Sequence, residues 1–404
     1  MENKPLLGVK VIDLTYFIAG PGAAKILADW GADVIKVEPS FGDPGRKTGA
    51  TMMMPISEEQ NPFYDIYNSN KRGLSLNLKD PKGIEILHKL LSTANVFVSS
   101  YRTGALKRLG LDYETLKERH PHLIWAQING FGDYGPAKDN AGFDTVAFWA
   151  RSGVMLDLTE EGTNPVNPII GFGDATTSCS LAGGISAALY HQLKTGKGQK
   201  VMISLFGQAI WSASAAVVST QYGDKYQKTR KNAISPVINS YRCKDGKWIF
   251  LSILEHERYY ETLCRLLKRE DLIENEKFAT TLASKENAVE LIEILDKEFI
   301  KYTQNELVDM LTKADIAHER IKQIKEVISD QQALENNYVY EFEHENKEKT
   351  FLPTTPIKFE TIDLQEVKRA PKVGEHGKEI LKELGYEEKE IDDYISMNIL
   401  YIEK

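Results

Sequence analysis

One segment of the chain has residue types and spacing suited to covalent chemistry. In Ile169-Ile170-Gly171-Phe172-Gly173-Asp174-Ala175-Thr176-Thr177 an apolar run meets two glycines, then a single acid, then a long stretch of small residues. Glycines beside a carboxylate remove side chains that would block a ligand's approach. A helix start here favours negative charge, both on the carboxylate and on an incoming anion. A carboxylate so placed can act as a covalent nucleophile. Its plainer role is an N-cap that accepts an orphan backbone N–H. Spacing alone leaves both readings open.

A second set of residues is basic. Asn70-Lys71-Arg72, Arg102, Lys107 and Arg108 all fall at expected strand ends or helix starts. They suit a local phosphate pocket, or are ordinary surface charge. Gly130-Phe131-Gly132-Asp133-Tyr134-Gly135 matches GxGxxG after an apolar strand. A dinucleotide site needs such a loop to open directly into a helix. Pro136 and the polar stretch Ala137–Asn140 follow instead, so a glycine-rich loop leaving a strand end is expected. The patterns GxxxxGK[ST], GxSxG and HExxH do not occur, and no metal site is expected.

The elements that must hold these residues alternate. Short apolar strands are expected at 9–14, 32–37, 74–78, 95–98 and 123–128, with helices between them, one opened by Asp80-Pro81. Residues 174–193 form a helix rich in Ala, Gly and Ser, which suggests close backbone packing, and 200–218 read as a strand running into a helix. This rhythm predicts an α/β fold with a doubly wound, mostly parallel, Rossmann-like sheet. Residues 222–231 read as a linker. Three charged amphipathic helices follow at 256–267, 286–301 and 304–314. The expected division is a large domain from 1–221, a smaller α+β domain at 225–325, and a segment, 326–404, that returns to the large domain. That last segment is expected to hold a helical connector, a turn at Leu352–Pro356 and two helices. The charged run His344–Lys349 is expected to be a solvated turn.

The chain has 404 residues and a formal net charge of −8, so a broad nucleic-acid face is not expected. Its three cysteines, Cys179, Cys243 and Cys264, form no CxxC pair, which fits a reducing compartment. No signal-peptide stretch and no run of 18 apolar residues occurs, so a cytoplasmic protein without a membrane span is expected.

Taken in order, several blocks resemble the class III CoA-transferases, the family of formyl-CoA transferase and carnitine CoA-transferase. They are Leu7–Thr15 with Ala19-Gly20-Pro21, Leu27–Pro39 with Gly42-Asp43 and Arg46, Asn70–Asn77, Gly104–Gly110, Gly130–Pro136, Thr195–Gln199 and Ala370–His376. The similarity covers nearly the whole chain. It implies transfer of coenzyme A from an acyl-CoA to a free carboxylic acid, with Asp174 as nucleophile, through an aspartyl anhydride and an aspartyl-CoA thioester. It implies a CoA pocket at Lys71, Arg72, Leu74, Ser100, Tyr101, Arg108 and Lys138. It also implies an interlocked homodimer, with CoA as a substrate and no tightly bound cofactor.

This chain departs from formyl-CoA transferase in three places. Ile18 stands where that enzyme has a glutamine, Ser100 replaces an asparagine, and Asn232–Tyr241 lacks the glycine run of its active-site loop. Oxalate and formyl substrates are therefore not expected. Ile18, Phe172 and Gly173 are expected to line a more apolar acyl pocket. Within the family the chain resembles clostridial-type enzymes that charge (R)-2-hydroxy acids, of aryl-lactate or 2-hydroxyisocaproate type, in amino-acid fermentation. In such a pathway a separate dehydratase follows. The racemases of this fold are the alternative, but Phe143 of Ala141-Gly142-Phe143-Asp144 stands where they carry a histidine and cannot move a proton.

Overall fold

The computed structural model describes residues 4–226, 229–233, 235–360 and 367–403. Two compact units are formed, one from Met1–Val154, Pro168–Ser214 and Gln331–Lys404, the other from Met155–Asn167 and Ala215–Asp330. The second unit extends beyond 225–325 at both ends and takes in the 155–167 excursion. Of the stretch read as a linker, residues 227 and 228 lie outside the described residues; of 232–241, residue 234 does.

The first unit is built on a seven-stranded sheet. Its strands are β1 (Lys10–Leu14), β2 (Asp33–Glu38), β3 (Arg72–Leu76), β4 (Val96–Ser99), β5 (Ile124–Asn129), β6 (Lys200–Ser204) and a C-terminal strand, β12 (Leu400–Tyr401). The order is β12-β3-β2-β1-β4-β5-β6, and every pairing is parallel except that of β12 with β3. Central strands covered on both faces are mostly apolar, and Val11, Ile12, Ile35, Val96, Phe97 and Ile124 are fully buried. The strand order reverses between β1 and β4. In doubly wound sheets ligands bind outside the carboxyl ends of the strands at such a switch point.

The long helix Phe172–Thr195 packs on the helix Ala19–Asp29. Small residues permit the approach, and the Ser178 hydroxyl donates across it to the Ala19 carbonyl at 2.8 Å. The second unit holds an antiparallel sheet of β7 (Ile238–Arg242), β8 (Trp248–Ser252) and β9 (His318–Arg320). Its core includes Tyr241, Ile249, Leu251, Leu263, Phe278, Leu291, Leu295 and Phe299.

The expected helical connector and turn are replaced in part by a hairpin, β10 (Val339–Glu343) and β11 (Lys349–Pro353). The cause is visible in Val-Tyr-Glu-Phe-Glu, which buries Val339 and Phe342 and exposes Glu341 and Glu343. His344–Lys349 spans the turn, but His344 itself is buried, its ring 3.5 Å from Asp65.

A buried charge network joins β1, β2 and the residue before β3. The Lys71 ammonium contacts Asp13 at 2.8 Å and donates to the Pro21 carbonyl at 2.8 Å and to Asn68 Oδ1 at 2.9 Å. Lys36 pairs with Asp43 at 2.9 Å, and Glu38 takes both Arg46 and the Tyr64 hydroxyl. Burial pushes the Asp13 carboxyl up, but Lys71 and Lys36 outweigh it and hold the group below its usual range. Burial pulls Lys71 down to about 8 despite Asp13. Removing one member of such a pair leaves an uncompensated buried charge. Lys71→Met is expected to destabilise the protein by about 3–5 kcal/mol in urea unfolding, and adding Asp13→Asn to recover part of the loss.

Candidate active site

A cavity of about 140 Å³ opens at the carboxyl ends of β1, β4 and β5, where the strand order reverses. Its walls come from the turn Tyr16–Gly20, from Ser100, Arg102 and Thr103, from Ile128–Gly130, from 138 and 140–143, and from Asp174 and Leu205. The Tyr16 amide donates to the Ser100 hydroxyl at 3.1 Å, which ties the β1 and β4 loops together. The buried network sets the turn itself. Asp43 Oδ1 accepts from the Phe17 amide at 3.0 Å and from the Gly45 amide at 2.7 Å. Phe17 is held at φ +67, a conformation that non-glycine residues adopt rarely. Its ring meets Phe143 edge to face, centroids 5.6 Å apart.

Asp174 is not the helix cap. The long helix begins at Phe172, its N-cap is Gly171, and Asp174 falls in the first turn. Asp144, first residue of a π-helix spanning Asp144–Ala150, serves the helix start instead. Its Oδ2 accepts from the Gly171 amide at 2.8 Å; burial nevertheless pushes the Asp144 carboxyl up, outweighing the Gly171, Gly173 and Asp174 amides that favour its charged form. Glycine is required at 173, because a Cβ there would fall 2.2 Å from Asp144 Oδ1 and 2.3 Å from Phe148 Cγ. The cap is thus supplied from 27 residues upstream, and the Asp174 carboxylate is left to face the cavity.

Two electrostatic effects meet at Asp174. The helices Ala19–Asp29 and Phe172–Thr195 both begin at the cavity and favour negative charge there. Burial, and then the like charge of Asp144, nevertheless push the Asp174 carboxyl up to about 7. A carboxylate with a raised pKa is a stronger base and nucleophile in its ionised form. Among the described residues no group of three or more His, Cys, Asp or Glu side chains is placed to hold a metal ion.

Of the residues singled out in the sequence, Asp174, Ile18, Ser100 and Lys138 line this cavity together. Tyr101 lies beside it, its ring 5.3 Å from Tyr16, and lines a neighbouring hollow with Tyr16 and Asp43. Arg108 is exposed one helical turn from Gly104. Phe172 is half exposed, its ring against Trp149, and Gly173 is buried beneath Asp174's helix. Three expected CoA contacts have other work. Lys71 is sealed in the ion pair with Asp13, and Leu74 is fully buried in the sheet core. Arg72 is spent on Asp33, Glu379 and Glu383 at the far side of the strand. Neither the Lys71 ammonium nor the Leu74 side chain is open to solvent.

The glycine-rich loop after β5 does not open into a dinucleotide-type helix. Gly130 instead lets its backbone touch that of Gly142, where a Cβ would come within 2.6 Å of the Gly142 Cα. Arg102, raised in the sequence as one member of a possible phosphate pocket, and Phe17, the neighbour of Ile18, also line the cavity, as do Thr103, Phe143 and Leu205, which were not expected as pocket residues. Arg102 stood out only as one charge among several, and no spacing rule links Leu205 to Ile18.

The pH dependence of the site follows from Asp174. For an Asp174 that acts as a nucleophile, protonation removes the attacking form, so the rate of its acylation is expected to fall about tenfold per unit below pH 7. Asp144→Asn removes the like charge but not the burial. The acid limb of the pH–rate profile is then expected to move to lower pH by part of the elevation; an unmoved limb would mean that Asp144 contributes no field.

The model of CoA-transferase family III matches residues 6–377. The (R)-2-hydroxy-4-methylpentanoate CoA-transferase of Clostridioides difficile is 39% identical over 389 residues, covering 96% of this chain and 98% of that protein. The cinnamoyl-CoA:phenyllactate CoA-transferase of Clostridium sporogenes is 38% identical over 399 residues, 97% of each chain. A crystal structure of a CAIB/BAIF family protein from Brucella suis superposes with a TM-score of 0.79 at 29% identity, covering 95% of this chain and all of that one.

Proposed function

The chain belongs to CoA-transferase family III and is a CoA-transferase, and we propose that it moves coenzyme A from an acyl- or enoyl-CoA to a free (R)-2-hydroxy acid, with Asp174 as the covalent nucleophile. The observation that carries this reading is the uncapped Asp174 carboxylate at the switch-point cavity, relieved of helix capping by Asp144. Two relatives of nearly full coverage are named for 2-hydroxy-acid substrates, which supports that acceptor class.

Asp174 attacks the thioester carbonyl and expels CoA thiolate, leaving a mixed anhydride. The thiolate then attacks the Asp174 carbonyl carbon, releasing the donor acid and leaving an aspartyl-CoA thioester. The incoming acid attacks that same carbon, forms the second anhydride and expels the thiolate, which takes the new acyl group and restores Asp174. Each step exchanges one activated acyl derivative for another, so the sequence closes without an external energy source.

The cavity is far too small for coenzyme A. In this reading it holds the acyl group or the acid, and the CoA body runs outward past Ser100, Tyr101, Arg102 and Lys138. Ile18, Phe17, Phe143 and Leu205 give one wall of the cavity an apolar character, suited to an aliphatic or aryl side chain, beside polar groups such as Ser100, Arg102 and Asn129. Phe143 at this wall has no proton to exchange, which does not favour a racemase. A homodimer belongs to the same reading. Phe172, Tyr190, Leu193 and Trp211, at 50, 65, 82 and 75% exposure, are large apolar side chains that a second copy would cover. The product, a 2-hydroxyacyl-CoA, is the substrate that a dehydratase requires.

The test pairs an acceptor panel with trapping. Given cinnamoyl-CoA or isocaprenoyl-CoA, the protein is expected to charge (R)-phenyllactate or (R)-2-hydroxyisocaproate and to leave oxalate and carnitine untouched. Hydroxylamine or borohydride is expected to trap an adduct on Asp174, and Asp174→Ala to fold without turnover. Transfer by that variant, or an adduct mapped to Glu38 or Asp144, would remove Asp174 from the mechanism.

A further inference from the structure

Tyr67 lies on the helix Pro62–Asn68, which is fixed at both ends. Asn61 caps its start by accepting from the Tyr64 amide at 3.2 Å. At its end, Asn68 accepts from Lys71 at 2.9 Å and so joins the buried charge network. The ring packs on Phe63, centroids 5.5 Å apart, and beside Gly22, where a Cβ would lie 3.5 Å from a ring carbon. The phenolic oxygen is delivered to the start of the long helix. A Cβ on Gly171 would lie 3.5 Å from Tyr67 Oη and 3.0 Å from Ile18 Cδ1. Gly171 is the N-cap of the helix that carries Asp174 in its first turn.

Among the described residues, no protein group takes the Tyr67 hydroxyl as a hydrogen-bond donor. The Tyr67 side chain is only partly buried. A phenol packed among apolar side chains usually finds a partner. None is formed here, although the helix and the ring packing hold its direction.

We propose that Tyr67 is a further catalytic residue, whose phenol donates a hydrogen bond to the oxyanion that forms on the carboxyl carbon of Asp174. The proposal rests on Asp174 being the nucleophile. Two of the four transfers take place at that carbon. In the first, CoA thiolate adds to the Asp174 carbonyl of the anhydride; a C–S bond forms, the carbonyl pair moves onto oxygen, and collapse breaks the bond to the donor carboxylate. In the second, the acceptor carboxylate adds to the aspartyl thioester; a C–O bond forms, the pair again moves onto oxygen, and collapse expels the thiolate. No proton is gained or lost overall.

The oxygen carries about half a charge in the free carboxylate and a full one in each tetrahedral adduct. The hydrogen bond therefore strengthens toward the transition state, the condition for catalysis rather than uniform binding. Burial, followed by the charges of Asp174 and Asp144, raises the phenol to about 12, so it keeps its proton at working pH. Because this carbon belongs to the protein, a donor fixed on a clamped helix stays in register with it whatever acid is bound.

Tyr67→Phe keeps the ring and removes the donor. Its kcat is expected to fall about 10²-fold, the usual effect of losing one oxyanion donor. The KM for acyl-CoA should stay within about threefold of wild type, with an unchanged melting temperature. With acyl-CoA alone, the aspartyl-CoA thioester should still map to Asp174 but form about 10² times more slowly. Wild-type kcat in the variant would overturn the proposal. So would a change confined to KM, or a loss seen with 2-hydroxy acids but absent with the matching unhydroxylated acids, which would make Tyr67 a reader of the substrate hydroxyl. An adduct on Asp174 with normal kinetics in Tyr67→Phe would sink the Tyr67 role alone. An adduct elsewhere in the wild type would sink the nucleophile assignment with it.

Discussion

The site depends on burying two lysines where a doubly wound sheet ordinarily holds only apolar side chains. Lys36 and Lys71 have no access to solvent, and each is compensated by an acid, Asp43 and Asp13, brought from another part of the chain. Isolated ions in such a place would cost several kcal/mol apiece, so the surrounding backbone must adopt the arrangement that pairs them. That arrangement fixes the turn after β1. Asp43 grips the Phe17 amide, Lys36 donates to the Thr15 carbonyl, and Lys71 donates to the Pro21 carbonyl at the start of the next helix. The left-handed Phe17 is tolerated because contacts on both sides over-determine it.

A second division of labour operates at the long helix. Two acids lie near the helix start, and the one that accepts from its N-cap amide is the distant Asp144, not Asp174 in the first turn. Asp144, on a π-helix whose widened turn suits a functional position, reaches across to the Gly171 amide. Asp174 is thereby kept out of the local hydrogen bonding that would dull it. Proximity also couples the two groups, so the acid that relieves Asp174 of capping also raises its basicity.

The strand-and-helix rhythm of the first two hundred residues was legible, because buried parallel strands leave apolar runs that little else imitates; β1, β2, β4 and β5 fall within about a residue of expectation. Asp174 stood out as a candidate, but glycines, an acid and a small-residue helix in that order suit an N-cap as well as a nucleophile, and only the family resemblance chose between them. Burial of charge was not legible. Nothing in Asn-Lys-Arg distinguishes a lysine aimed at a phosphate from one aimed at Asp13, fifty-eight residues away. The same holds for Asp144 and Tyr67, whose importance lies in what they face across the fold. The hairpin of β10 and β11 was missed for a different reason: its alternation is only five residues long and is interrupted by charge.

The narrowness of the cavity, about 140 Å³, has a consequence for how the enzyme behaves among metabolites. In the proposed reaction the departing acid and the arriving acid use one room and must take turns in it. Turnover is then ping-pong, and each free acid competes with the other for the covalent enzyme. Such a catalyst has no preferred direction of its own. It equilibrates the thioester pool with the acid pool, and net flux is set by whichever neighbouring reaction drains an acyl-CoA fastest.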